Sequence, residues 1–130
     1  MAASAVTIAN CHGGYRIDRG RLARIVSRTL RHIGRGRGIG FTFVFLDDRA
    51  IARMNRRFTG RARPTDVLSF LFDGGPTGGK RRIAEIYISI DRAAVQSKRF
   101  GSELPDELVR YVIHGILHLF GYDDLTRAGR

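Results

Sequence analysis

The stretch Phe41-Thr42-Phe43-Val44-Phe45-Leu46-Asp47-Asp48, running on into Arg49-Ala50-Ile51-Ala52-Arg53-Met54, decides how the chain is built. Its three phenylalanines alternate with Thr42 and Val44, the two-residue period of a strand with one face on a core. The period then changes. Asp47 or Asp48 caps a helix that carries Ala50, Ile51, Met54 and Phe58 along one face. Upstream, Leu22, Ile25, Val26, Leu30 and Ile33 recur at helical spacing between an Asp18 cap and a Gly34 stop. Downstream, residues 66–72 and 83–90 are dense in β-branched and aromatic side chains and read as strands, with a glycine-rich turn over 73–80 between them. A third helix is expected over 91–100. A fourth starts around Pro105, with Asp106 and Glu107 complementing its dipole, and runs to about Phe120, where Gly121 stops it. The order helix, strand, helix, strand, strand, helix, helix predicts an α+β fold. A small mixed sheet packs with about four helices, and residues 1–130 form a single domain.

A chain of 130 residues can bury roughly two thirds of the surface it exposes when unfolded, and 43% of its residues are apolar, so one real core is expected. The charge is unusual. Twenty-three Lys and Arg face 12 Asp and Glu, a formal net charge of +11, and every cation except Lys80 and Lys98 is Arg. Such a surface calls for a polyanionic partner, and the planar guanidinium suits phosphate and stacks on bases. No stretch approaches the roughly 20 apolar residues that span a bilayer, and MAASAVTIAN has no basic segment ahead of its apolar residues, so a cytoplasmic protein without a membrane partner is expected. Cys11 is the single cysteine, which rules out an intramolecular disulfide.

His114-Gly115-Ile116-Leu117-His118 lies on the last helix and is followed by Leu-Phe-Gly-Tyr-Asp-Asp124. Residues i and i+4 stand one above the other on a helix, so both imidazoles can aim at one ion. Gly121 then turns the chain back, and a ligand from the following segment can complete a three-ligand site with an open position, the arrangement of catalytic zinc. The metal site is therefore expected at the end of the last long helix. Helical zinc proteases carry a glutamate as general base at the second position of their motif. Gly115 stands there in this chain, which argues against peptidase chemistry.

The same residues resemble the YbeY-type metal-dependent endoribonucleases, a family implicated in ribosomal RNA maturation. The family signature H-G-x-L-H-L-x-G-Y-D-H aligns with HGILHLFGYDD, from His114 to Asp124, and agrees at every specified position but the last. A second block, a proline followed by T-D-V-L-S-F, stands at residues 64–70. A third, G-D-I-x-I-S, appears as Ala84-Glu85-Ile86-Tyr87-Ile88-Ser89, and Met54-Asn55 precedes them in the family's order. The resemblance implies that His114, His118 and Asp124 hold one metal ion per chain, most naturally zinc, with Asp124 standing where the family has its third histidine. It also implies that Thr59 replaces an arginine that serves the substrate.

On this reading the chain is a metal-dependent endoribonuclease acting on ribosomal RNA. Arg61 and Arg63 contact phosphate, and Asp66 and Ser69 shape the cleft, with Ser69 facing away from Leu68 and Phe70. No residue is singled out as general base, Asp123 beside the third ligand being the one candidate. Asp124 and Thr59 favour a different class, a non-catalytic RNA-binding or ribosome-assembly protein whose metal is structural or lost. A third reading is a metal-dependent hydrolase of some other substrate. Two further motifs carry less. Residues 74–80 fit G-x-x-x-x-G-K, but Arg81 replaces the required Ser or Thr and a strand follows, so a turn is expected. The run Gly34-Arg35-Gly36-Arg37-Gly38 reads as a helix exit decorated by solvated arginines.

Overall fold

The computed structural model describes residues 5–60, 65–72 and 82–122. Among these, the order is β1 (Val6–Asn10), α1 (Arg19–Ile33), β2 (Ile39–Leu46), α2 (Asp48–Thr59), β3 (Val67–Phe72), β4 (Arg82–Ser89), α3 (Ile90–Phe100) and α4 (Leu104–Leu119). The expected caps are in place. Asp18 accepts from the Arg21 N–H and Asp47 from the Ala50 N–H, satisfying donors that a helix start leaves open. At the end of α1, Gly34 takes a left-handed conformation, its N–H bonding Arg31 O while the Arg35 N–H reaches back to Leu30 O.

The strands form one mixed sheet in the order β1-β2-β4-β3, with β1, β2 and β4 parallel and β3 antiparallel to β4. The α+β expectation holds, with one addition: β1 was not anticipated. Its five residues hold only Val6 and Ile8 at alternating apolar positions, too short a run for a period to show. It gains its place by pairing with β2, Val6 opposite Phe41 and Ile8 opposite Phe43.

One face of the sheet carries the main core. Phe41, Phe43 and Phe45 of β2 and Ala84, Ile86 and Ile88 of β4 meet Leu22, Val26 and Leu30 of α1 and Leu108, Val112 and Ile116 of α4, all buried. The opposite face is covered in part by α2, whose Ile51 is buried and whose Phe58 ring lies 4.8 Å from that of Phe70. The expected apolar stripe of α2 needs one correction. Phe58 is 48% exposed, whereas Asn55 is buried. The Thr59 hydroxyl lies 2.7 Å from both the carbonyl oxygen and Oδ1 of Asn55, so this polar side chain is buried with a partner.

At the C-terminal ends of the parallel strands, Asp91 ties three elements together. His12 Nδ1 accepts from the Gly14 N–H, which leaves the ring proton on Nε2 for Asp91 Oδ1, 2.9 Å away. Asp91 Oδ2 accepts from the Asp48 N–H at 2.8 Å. Burial alone would raise the Asp91 carboxyl, but the hydrogen bonds from the Asp48 N–H and the His12 ring outweigh it and hold the carboxyl below its ordinary value of 3.8. A carboxyl lowered in the folded state contributes stability that is fully present above the unfolded value and is lost as pH falls through the folded one. Thermal melts of wild type should therefore weaken as pH drops below about 4, and Asp91→Asn should be less stable near neutrality with a flatter acid limb. Parallel curves for the two proteins would remove this role.

Candidate metal centre

The helix that carries the histidines is fixed at both ends and in the middle. Pro105 sits in its first turn, and the carboxylate of Glu107, buried one turn in, accepts from the Ser102 hydroxyl at 2.9 Å. In the middle, Gly115 lets the helix approach the sheet closely. A Cβ on Gly115 would stand 2.6 Å from Ile86 Cγ2 and 3.2 Å from Val67 Cγ1. The Ser69 hydroxyl donates to the Gly115 carbonyl at 3.0 Å, tying the edge strand β3 to α4 between the two histidines.

His114 and His118 therefore project from a helix whose distance from the sheet is set at the residue beside the first of them. His114 is half-buried, and His118, one turn on, is exposed. The Tyr111 ring stacks nearly parallel to that of His114, at 15° with centroids 6.4 Å apart. Glu107, Tyr111, His114 and His118 follow one another at i, i+4, i+7 and i+11, a polar stripe along one flank of α4. Tyr111 was not anticipated as a neighbour of the site, although its position three residues before His114 is the signal that would have found it.

After His118 the chain reverses as the glycine predicts. Gly121 adopts φ 87°, its N–H bonds His118 O at 3.1 Å, and the Tyr122 N–H bonds Leu117 O at 2.8 Å. Asp123 and Asp124 lie outside the described residues, as do Arg61, Arg63 and residues 74–80. Among the described residues no third His, Cys, Asp or Glu joins the histidine pair. The pair itself fits a divalent ion. Two imidazoles one helical turn apart are suitable donors, and the outer one opens to solvent.

The remaining candidate residues divide. Ser69 faces α4, on the side away from Leu68 and Phe70, and its hydroxyl joins strand to helix. Asp66 is exposed at the entrance to β3, where its carbonyl accepts from the Ser89 N–H at 2.9 Å. Gly115 sterically excludes the glutamate of the zinc proteases, because any side chain there starts inside the van der Waals radius of Ile86. Among the described residues no helix is long and apolar enough to cross a membrane.

A family model described as Endoribonuclease YbeY matches residues 8–130. Two curated relatives carry that same name. The one from Myxococcus xanthus is 42% identical over 88 residues, 66% of this chain and 30% of that protein. The one from Pelotomaculum thermopropionicum is 34% identical over 125 residues, 91% of this chain and 82% of that protein. The solution structure of a Thermotoga maritima protein superposes with a TM-score of 0.59 at 28% identity, covering 91% of this chain and 73% of that one. The family match over almost the whole chain agrees with what His114, Gly115 and His118 carry on α4, and the chain belongs to the endoribonuclease YbeY family.

Proposed function

We propose that this protein is a metal-dependent endoribonuclease that processes ribosomal RNA in the cytoplasm. The observation that carries the reading is the pair His114 and His118, one turn apart on a helix held against the sheet at Gly115. Asp124, at the family's third-ligand spacing, closes the set around one zinc ion. The chemistry a bound zinc supplies here is polarisation of a phosphoryl oxygen and activation of an attacking water. Tyr111 and the Ser69 tie orient the helix face that bears the imidazoles. Arg61 and Arg63 neutralise phosphates of the strand, Asp66 borders the cleft, and Asp123 is the candidate proton acceptor. Incubating the purified protein with structured ribosomal RNA should give internal cleavage that a chelator abolishes and zinc restores.

The alternative, a non-catalytic RNA-binding or ribosome-assembly protein with a structural or vestigial metal, is favoured by one observation. The family's substrate arginine is replaced by Thr59, whose hydroxyl lies within α2 against Asn55. RNA left intact by zinc-loaded protein would select this alternative.

The carboxylate is the decisive ligand to vary. Asp124→Asn exchanges an anionic oxygen donor for a neutral one and should weaken zinc affinity, whereas Asp124→His keeps a donor at that position and should retain it. Competition with a chelating dye reads both affinities. Equal affinity in wild type and Asp124→Asn would show that Asp124 is not a ligand.

A further inference from the structure

The face of the sheet turned away from α1 and α4 carries a run of aromatic rings. Strand alternation puts Phe70 and Phe72 of β3 on that face, and the register sets Ile83, Glu85 and Tyr87 of β4 beside them, with Phe72 opposite Ile83 and Phe70 opposite Glu85. The Phe70 ring joins the others. Its centroid lies 4.8 Å from that of Phe58 on α2, 6.2 Å from that of Phe72 and 6.2 Å from that of Tyr87, separations typical of interacting rings. Packing against one another covers these side chains only in part, for Phe58 stays 48%, Phe72 41% and Ile83 43% exposed. A contiguous aromatic surface that folding leaves in contact with water marks a place where something binds.

The charges beside the rings give the chemistry of the occupant. Ile51 and Asn55 are the buried row of α2, Met54 and Phe58 form its flank, and Arg53 and Arg57, one turn apart, form the exposed row next to that flank. The Arg57 guanidinium lies over the Phe58 ring, 5.9 Å from its centroid. Rings bordered by guanidinium groups suit unpaired nucleotides, whose bases present a π face whatever the sequence and whose phosphates take the cations. An apolar peptide would use the rings and leave the arginines without a role. Glu85 adds a polarity to the arrangement. Its carboxylate accepts from the Tyr87 hydroxyl at 2.7 Å, which steadies that ring, and its charge repels phosphate, so the favoured placement has bases over the strands and the backbone on the α2 side.

We propose that Phe58, Phe70, Phe72 and Tyr87 form a platform on which unpaired bases of the RNA stack, with Arg53 and Arg57 holding the phosphates alongside. The inference rests on the RNA reading above and adds to it a second point of contact, separate from the metal centre. Ser69 bonds α4 at Gly115 on one face of β3 while Phe70 stands on the other, so imidazoles and rings lie on the two sides of one edge strand.

The test is fluorescence anisotropy of the full chain with two labelled oligomers of about 12 units, a 2′-O-methyl oligoadenylate and an abasic strand with the same phosphates. Phe58→Leu/Phe72→Leu keeps apolar bulk but removes two exposed ring faces, and should lower affinity for the oligoadenylate about tenfold or more while leaving that for the abasic strand unchanged. Arg53→Gln/Arg57→Gln should instead reduce the slope of log affinity against log salt for both oligomers, by about 1.4 for two phosphate contacts. A second variant guards against a folding defect. The chain contains no tryptophan, so Phe72→Trp puts a single indole on the platform, and its emission should be quenched by the oligoadenylate and not by the abasic strand. Unchanged oligoadenylate affinity in the leucine variant, an equal loss for both oligomers, or an indole insensitive to the oligoadenylate overturns the platform. So does a dimer that the leucine substitutions dissociate while RNA affinity stays the same, which would give the face to a second copy of the chain. The two readings fail separately. Cleavage without a ring effect on binding removes the platform alone, and a ring effect on binding without cleavage removes the enzyme alone.

Discussion

Gly115→Ala should destabilise the protein, even though alanine is the better helix former by about 1 kcal/mol. The reason is the close approach of α4 to β4 at this residue. The added Cβ would start 2.6 Å from Ile86 Cγ2, and that methyl sits on a β-branched residue in the fully buried middle of β4, where it cannot swing aside. Overpacking of this kind costs about 1–3 kcal/mol, so the net effect is a loss of stability of on the order of 1 kcal/mol. Gly115→Glu adds a buried carboxylate to the same clash and should leave little folded protein. The midpoint of urea denaturation reads the first variant, and a higher midpoint than wild type would show that α4 can lift off the sheet at no cost. The prediction bears on function, because the helix moved by the clash is the one that carries His114 and His118.

His114→Ala/His118→Ala should take the metal content from about one zinc per chain to none, by elemental analysis of protein purified in parallel. The carboxylate remaining at position 124 is a single donor and cannot retain the ion alone. The fold should survive. His118 is exposed and His114 half-buried, and neither belongs to the buried cluster of phenylalanines and isoleucines that joins sheet to helices. Full metal stoichiometry in the double variant would remove these residues as ligands and the candidate centre with them.

What the sequence makes legible is local. The alternation of Phe41, Phe43 and Phe45, the caps Asp18 and Asp47, and the stops Gly34 and Gly121 each depend on residues within a few positions of one another, and the structure reproduces them. The helical placement of His114 and His118 is legible for the same reason. What escapes depends on contacts between distant segments. β1 exists because β2 offers it an edge. Asn55 is buried and Phe58 exposed because of where α2 crosses a half-covered sheet, which helical periodicity alone cannot show. Gly115 reads as a missing general base until Ile86, 29 positions earlier in the chain, is brought against it. Arg61, Arg63, Asp123 and Asp124 fall outside the described residues, so their part in the site rests on sequence pattern.

The most direct test of the central claim compares zinc-loaded wild type with His114→Ala/His118→Ala on one structured ribosomal RNA fragment, at concentrations that give both proteins the same RNA occupancy. The account predicts discrete internal fragments from wild type and none from the double variant, which still binds the RNA through its arginines. Equal cleavage by both proteins would contradict it, since the hydrolysis would then owe nothing to the two imidazoles.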